Sequence, residues 1–506
     1  ILTYSSINIY SKGTNTVPTS DGNYTTDYNH IRRTNLLLQN SESYSRPSDI
    51  KQYMGEAYFF RAYSYFDLLE LYGNAIIVKQ PVDVTDPLMK VARDDRSKVA
   101  DFIVDDLNHA IADLPSNSEL TSDESGRVSK EAAEAFLSRV ALYEGTWQKF
   151  HNDSIARAKK LLDIAAKAAK SVIDSKQFYL FGTDGDSKVL GDSAYKYMFI
   201  LEDEKSNPAG LAKSTNHEYI LARRHDQILS PIGKNITKEV VNNVQWITRN
   251  FVNLYLCSDG LPIDKSPLFQ GYGKKVSEFL NRDNRMRYSL LKPGTYYWTN
   301  RNPHTTWIWN QDLSSALYYK GGSGGSGYAN QKWGSERDVQ DTQEGYDYPV
   351  IRYAEVLLNY AEAVYERDDA ISDADLDISL NLVRHRANPD MPGLSNAFVT
   401  NNGLNMRTEI RRERTIELYQ EGFRLDDLKR WDTAVQVMNQ PLLGVKFTGT
   451  GYETNWGSTT LPTQAKDENG CLIMDTNRQW SDKNYLYPLP SDQLQLNPNL
   501  AQNPGW

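Results

Sequence analysis

Nine aromatic rings fall between Pro293 and Trp333: Tyr296, Tyr297, Trp298, Trp307, Trp309, Tyr318, Tyr319, Tyr328 and Trp333. Gly, Asn, Ser and Arg fill the intervals, and the rings follow neither the helical period nor strand alternation. Such rings are hard to bury all at once, because an irregular backbone hides its own polar groups poorly. Exposed Trp and Tyr can stack on the flat apolar face of a sugar while the ring N–H or O–H takes a polar partner. Arg301, Asn302 and Asn310 stand among the rings as hydrogen-bonding groups for hydroxyls. The expected ligand-binding set is therefore Tyr296, Tyr297, Trp298, Arg301, Asn302, Trp307, Trp309, Asn310, Tyr318 and Tyr319. Asn23 and Tyr24, in the stretch TSDGNYTTDYNH read as an N-terminal loop, are added as further contacts.

Catalysis fits this segment less well. Between Asp283 and Glu336 the only carboxylate is Asp312, whereas ordinary glycoside hydrolysis uses two carboxyl groups roughly 5–10 Å apart. A second acid would have to come from elsewhere, for instance Glu202, Asp203 or Glu204, so binding without catalysis is the favoured reading. The run GGSGGSG satisfies two phosphate and nucleophile patterns by letter: G-x-G-x-x-G at Gly322, Gly324 and Gly327, and G-x-S-x-G at Gly321, Ser323 and Gly325. Neither has a strand before it and a helix after it, and the run reads as a flexible loop. His217-Glu218 lacks the second His of the zincin spacing, and Asp184, Asp186 and Asp192 lack the Gly and Glu of a calcium loop. No cofactor or metal is expected.

The densest charge lies at Arg411–Trp431, RRERTIELYQEGFRLDDLKRW. Glu413, Glu417 and Glu421 recur at i, i+4 beside the apolar Ile416, Leu418, Tyr419 and Phe423, which places carboxylates against a core. Gly422 and Arg424 break the helix before a second amphipathic run, so the stretch reads as a fixed structural corner. Arg61, on the apolar side of its helix, and Arg352, three residues before Glu355, are likewise expected to be paired inside the frame.

The elements that must hold the aromatic segment are mostly helices. Ile50, Tyr53, Met54, Ala57, Phe60, Ser64, Leu68 and Leu71 form one stripe ending at Gly73, a C-cap residue, and predict a helix over 49–72. Further helices are expected at roughly 97–113, 129–146, 153–175, 349–367, 371–387, 404–421 and 424–439. Ala132, Ala135, Ala141, Ala156 and Ala158, and later Ala354, Ala361, Ala363 and Ala387, mark expected close crossings of two helical pairs. The fold class expected is mainly α: tetratricopeptide-like hairpins forming a frame at about 49–175 and 349–440, with little β. An irregular ligand-binding subdomain occupies about 178–345 and an irregular C-terminal segment 441–506, all within a single unit.

Composition narrows the function classes. The 506 residues carry 56 Lys and Arg against 65 Asp and Glu, a net charge of −9 that argues against nucleic acid as a partner. Mean hydropathy is −0.60 and no run approaches a membrane-spanning helix. Tyrosine is abundant at 32 residues, and the two cysteines, Cys257 and Cys471, are too few for a disulfide scaffold.

Five blocks together resemble the SusD/RagB family of outer-membrane nutrient-binding lipoproteins. They are GEAYFFRAYSYFDLLELYGNAIIV (55–78), YPVIRYAEVLLNYAEAVYE (348–366), LVRHRAN (382–388), RRERTIELYQEGFRLDDLKRW (411–431) and YLYPLPSDQLQLNPNLAQNPGW (485–506). The resemblance spans nearly the whole chain. It implies a surface-exposed protein tethered to the outer membrane by a lipid on an N-terminal cysteine. It also implies that the protein caps a SusC-like TonB-dependent transporter and delivers oligosaccharide, or in some members peptide. Ile1 stands first here, so the lipidated cysteine and the usual first helix are expected to precede this sequence. The shared motifs are architectural, so they carry no ligand residue across. The expected function is non-catalytic glycan capture. A peptide binder of the same family, a glycoside hydrolase and a protein-interaction scaffold are the alternatives.

Overall fold

The computed structural model describes residues 2–3, 8–83, 85–234, 236–237, 245–274, 276–292, 326–336, 342–454 and 465–506. Helices dominate it, and strands occur only as short antiparallel pairs, so the fold is mainly α as expected.

Helix α1 (Gly22–Ser41) occupies the stretch read as an N-terminal loop. Asp21 caps it, its side chain accepting from the Asn23 N–H at 2.8 Å. Its buried face, Tyr24, Asp27, Ile31, Asn35 and Leu38, keeps helical spacing but contains two polar residues, while Leu36 and Leu37 point outward. That mixture hides the apolar period from the sequence. Tyr24 is a correction: it is a core residue, 7% exposed, with its ring edge-on to Tyr72.

Helix α2 (Lys51–Tyr72) ends where expected, at Gly73 with φ +75°. Its stripe differs from the expected one. Phe59, Ala62, Tyr65, Phe66, Leu68 and Leu69 are buried, but Tyr53 and Phe60 are each 47% exposed. α2 packs on α1 on one side and on α3 (Arg96–Asp113) on the other, so its buried surface is broad and Phe60 falls between the contacts. Arg61 links all three helices. It grips Asp106 of α3 through Nε (2.8 Å) and Nη2 (2.7 Å), and donates from Nη1 to Asn35 of α1 at 2.7 Å.

Helices α4 (Lys130–Phe150) and α5 (Ile155–Ser175) form the tightest pair. A Cβ on Gly145 would stand 2.9 Å from Leu162 Cγ, so only glycine permits this approach. Ala132, Ala135, Ala141 and Ala158 are buried as expected, whereas Ala156 is exposed. Helix α6 (Tyr353–Asp368) packs on α5 although the two are far apart in sequence, and it buries Ala354, Ala361 and Ala363. Its expected first turn is instead strand β2 (Tyr348–Arg352), paired antiparallel with β1 (Tyr219–Arg223) with Tyr219 opposite Arg352. The helix expected over 371–387 is broken into a short helix at Asp373–Asp377 and α7 (Leu380–Ala387). Helix α8 (Met406–Glu417) stops before Glu421, Gln420 and Gly422 having positive φ, and α9 (Arg424–Arg430) follows.

One large core runs through the helical array. Two smaller ones lie under the irregular segments, around Tyr255, Tyr328, Tyr419 and Val445, and around Tyr195, Phe199, Trp333 and Tyr346. The first of these rests on strands β3 (Leu442–Lys446) and β4 (Cys471–Asp475). The C-terminal QNPGW is stitched to the end of α2. Asn503 Nδ2 donates to the Tyr72 and Tyr487 carbonyls at 3.1 and 2.7 Å, and Trp506 Nε1 donates to the Lys483 carbonyl at 2.9 Å.

Arg61→Leu leaves Asp106 buried without its cation, and removing one partner of a buried pair costs about 3–5 kcal/mol. Denaturant unfolding should show that loss. A change below about 1 kcal/mol would mean that Arg61 does not hold α1, α2 and α3 together.

Candidate functional site

The ten residues Tyr296, Tyr297, Trp298, Arg301, Asn302, Trp307, Trp309, Asn310, Tyr318 and Tyr319 lie outside the described residues, as does Asp312. What the structure places is the root from which their segment leaves and to which it returns. Leu290 pairs antiparallel with Asn330, the Leu291 N–H donates to the Ala329 carbonyl at 3.0 Å, and the Gln331 N–H donates to the Ser289 carbonyl at 2.8 Å. The two ends of the segment are thus held side by side. On the return side, Gly444 lies so close to Ser326 that a Cβ there would meet the Ser326 carbonyl oxygen at 2.5 Å. The Val445 N–H donates to that same oxygen at 2.7 Å.

Two of the nine rings belong to this root and are buried. Tyr328 donates its hydroxyl to Glu278 at 2.8 Å and accepts from Arg249 Nη1 at 3.1 Å. Trp333 stacks on Tyr346 and Tyr348, and its Nε1 donates to the Gln420 carbonyl at 3.3 Å. These two rings anchor the return end of the segment.

The root is tied to a buried charge lattice built from the 411–431 corner. Lys332 donates to Glu421 at 2.7 Å and to the Tyr419 carbonyl at 2.6 Å. Glu421 also holds Arg352 at 2.6 Å, and Arg352 reaches Glu417 and Glu218, each at 2.8 Å. Arg386 bridges Glu218 (2.9 Å) and Glu417, and Arg285 bridges Glu417 (3.1 Å), Glu413 (2.6 Å) and Asp283 (2.7 Å). Arg384 completes the set at Glu413, 3.0 Å away. Arg352, placed three residues before Glu355 in sequence, therefore pairs elsewhere, while Glu355 is taken by Arg139 at 2.6 Å. Lys332 and Glu218 were not legible as members. Glu218 stood out only beside His217, which is not among its partners.

The cations around these carboxyls favour their charged forms. Burial alone would raise the Glu417 carboxyl, but the charges of Arg386, Arg352 and Arg285 outweigh it and hold the group well below its ordinary 4.5. At Glu362, burial is likewise outweighed by Arg430, Arg414 and Arg411, which bring it to about 2. Glu362 accepts from Arg430 at 2.6 and 2.7 Å and from Trp431 Nε1 at 2.6 Å, joining α6 to α9. These pinned carboxylates have neither a free lone pair facing solvent nor a pKa suited to proton transfer near neutrality.

An open groove of about 880 Å³ lies between α1 and α2, closed at one side by Leu221–Arg223 of β1. Asn23 and Thr26 stand on its rim, Phe60 and Tyr63 on its wall, and Asp27 beside the buried Phe59 in its floor. Asn23 is thus solvent-exposed at a cavity, unlike its neighbour Tyr24. Among the described residues no group of three or more His, Cys, Asp or Glu is arranged to hold a metal ion, and both cysteines are buried free thiols. No described helix is long and apolar enough to cross a membrane.

Comparison with known proteins gives a consistent picture. The SusD family model matches residues 204–506, and a model described as "Starch-binding associating with outer membrane" matches residues 3–142. The SusD-like protein P2 of Formosa agariphila is 25% identical over 460 residues, covering 89% of this chain and 73% of that protein. A SusD-like carbohydrate-binding protein from Bacteroides fragilis superposes with a TM-score of 0.73 at 22% identity, covering 97% of this chain and 88% of its own. A laminarin-binding SusD-like protein superposes at 0.56 with 20% identity, covering 97% and 87%. At these identities the solved structures speak for the fold.

Glu417→Ala should cost about 3–5 kcal/mol, because it strands three buried guanidinium groups. Since the folded carboxyls of Glu417 and Glu362 lie below their ordinary 4.5, their stabilisation is fully present above that value and is lost progressively as pH falls from there through the lower folded values. Denaturant midpoints measured from pH 7 to 3 should fall for wild type and change less for Glu417→Ala. Equal slopes for the two proteins would refute the assignment.

Proposed function

The chain belongs to the SusD family, and on that basis we propose that it is a non-catalytic binding protein. It captures oligosaccharide outside the outer membrane and passes it to a SusC-like TonB-dependent transporter. A lipid on an N-terminal cysteine would hold it at the surface. The observation that carries this reading is the aromatic segment 293–333, rich in rings and poor in carboxylates, leaving and re-entering a rigid root. Tyr296, Tyr297, Trp298, Trp307, Trp309, Tyr318 and Tyr319 form the stacking floor, and Arg301, Asn302 and Asn310 fix hydroxyls. Asn23, exposed on the groove rim, is a secondary contact. The names of the relatives, a carbohydrate-binding and a laminarin-binding protein among them, support glycan as the ligand class.

The acids that geometry places in the lattice are all engaged, which supports binding without hydrolysis. Asp312 is the one carboxylate of the aromatic segment, and a hydrolase would need a second facing it.

Calorimetric titration with a panel of neutral oligosaccharides and peptides tests the reading. At least one oligosaccharide should bind, Trp309→Ala should weaken it roughly tenfold or more, equivalent to about 1.4 kcal/mol, and prolonged incubation should leave the sugar intact. Binding by peptides alone would replace glycan with peptide as the ligand, and released sugar products would overturn the non-catalytic assignment.

A further inference from the structure

Asp27 is 6% exposed, yet its carboxylate accepts no hydrogen bond and joins no ion pair among the described residues. Other buried carboxylates are held by cations, as at Asp106, Glu362 and Glu417, or by hydrogen-bond donors, as at Glu131, Glu278 and Glu344. Asp27 instead lines the groove between α1 and α2. Asp67 of α2 lines the same groove, half-buried, and it too has no hydrogen bond or ion pair among the described residues. A carboxylate that no described residue satisfies, facing an open cavity, is suited to receive a cation. The pair is too few for a metal ion, which would take further protein oxygens.

We propose that this groove binds the primary ammonium group of an amino sugar, seated between Asp27 and Asp67. Tyr63 and the 47%-exposed Phe60 offer apolar faces to the sugar ring, and the side chains of Asn23 and Thr26 on the rim suit its hydroxyls. The proposal rests on the glycan reading for the body of the ligand and adds the charge that this site selects.

The groups around the pair agree. Burial, with repulsion from Asp67 and Asp21, pushes Asp27 up to about 8, and burial, with Asp426 adding to it against Arg139, pushes Asp67 up to about 6. The empty groove therefore holds protons that an ammonium would displace. His30 and Arg33 of α1 and Arg223 of β1 are exposed and line the outer part of the groove, and Glu70 lies one helical turn beyond Asp67. Arg139 acts on Asp67 through its charge, and among the described residues no cation forms an ion pair with either acid.

The test is calorimetry at pH 6.5 with a glucosamine oligomer and its N-acetylated counterpart, in two buffers of different ionisation enthalpy. The free-amine oligomer should bind at least tenfold tighter and release protons on binding. Asp27→Asn should abolish both the preference and the proton release while leaving the N-acetylated oligomer unaffected. This variant should fold normally, since the carboxylate supports no contact, and its melting temperature should match or exceed wild type at pH 8. Equal affinity for the two oligomers, or a preference that survives Asp27→Asn, would overturn the proposal. So would Asp27-dependent binding of a lysine-bearing peptide without binding of the amino sugar. Neutral-glycan binding without an amine preference sinks this proposal and leaves the glycan reading standing, whereas no binding by any glycan sinks both.

Discussion

Five carboxylates, those of Glu218, Asp283, Glu413, Glu417 and Glu421, face five cations, those of Arg285, Arg352, Arg384, Arg386 and Lys332, inside the protein. No one of these ions could be buried alone, since stripping a single charge of water costs several kcal/mol. Each is tolerable only where the others already stand. The lattice therefore forces segments remote in sequence into one arrangement: β1 and the turn before it, the short helix at Asn284–Ser289, the return of the aromatic segment at Lys332, the β2–α6 junction, α7 and the α8–α9 corner. Apolar packing of the same volume would be about as stable, but it would tolerate sliding in a way that directional hydrogen bonds do not.

Function divides along the same line. The helices and the lattice fix a base, and the segment proposed to carry the ligand chemistry is rooted in it. This suits a binding protein: a rigid root holds the ends of the segment, and the residues between them can be varied without disturbing the frame. Tyr328 and Trp333 show how the transition is made, since they are rings of the same segment turned inward as anchors. The groove between α1 and α2 shows the opposite arrangement. There a buried acid is left without a partner among the described residues, which a frame built only for stability would have neutralised.

Much of the frame was legible from spacing. The Gly73 cap, the α4–α5 pair and the corner at Gly422 follow from local chemistry that tolerates few alternatives. The misses share one cause, which is that a neighbour settled what the local pattern left open. α1 was hidden because its inner face includes Asp27 and Asn35, polar residues that become acceptable only opposite a cavity and Arg61. Phe60 matched the apolar stripe yet faces the groove, because α1 and α3 cover other sides of α2. Residues 349–352 read as helix but form part of a strand because β1 offers them a ladder.

By itself the sequence determined the helical frame, the charged corner and the concentration of rings without carboxylates between residues 293 and 333. Tertiary structure alone decided which charges are paired, which rings are anchors and which acid is left free. The reason is physical. Helical period and capping act over a few residues, whereas the protonation and engagement of a carboxylate depend on groups brought within about 4 Å from anywhere in the chain. Glu417 and Asp27 are both buried acids on helices, and only their surroundings make one a fixed part of the frame and the other a candidate for binding.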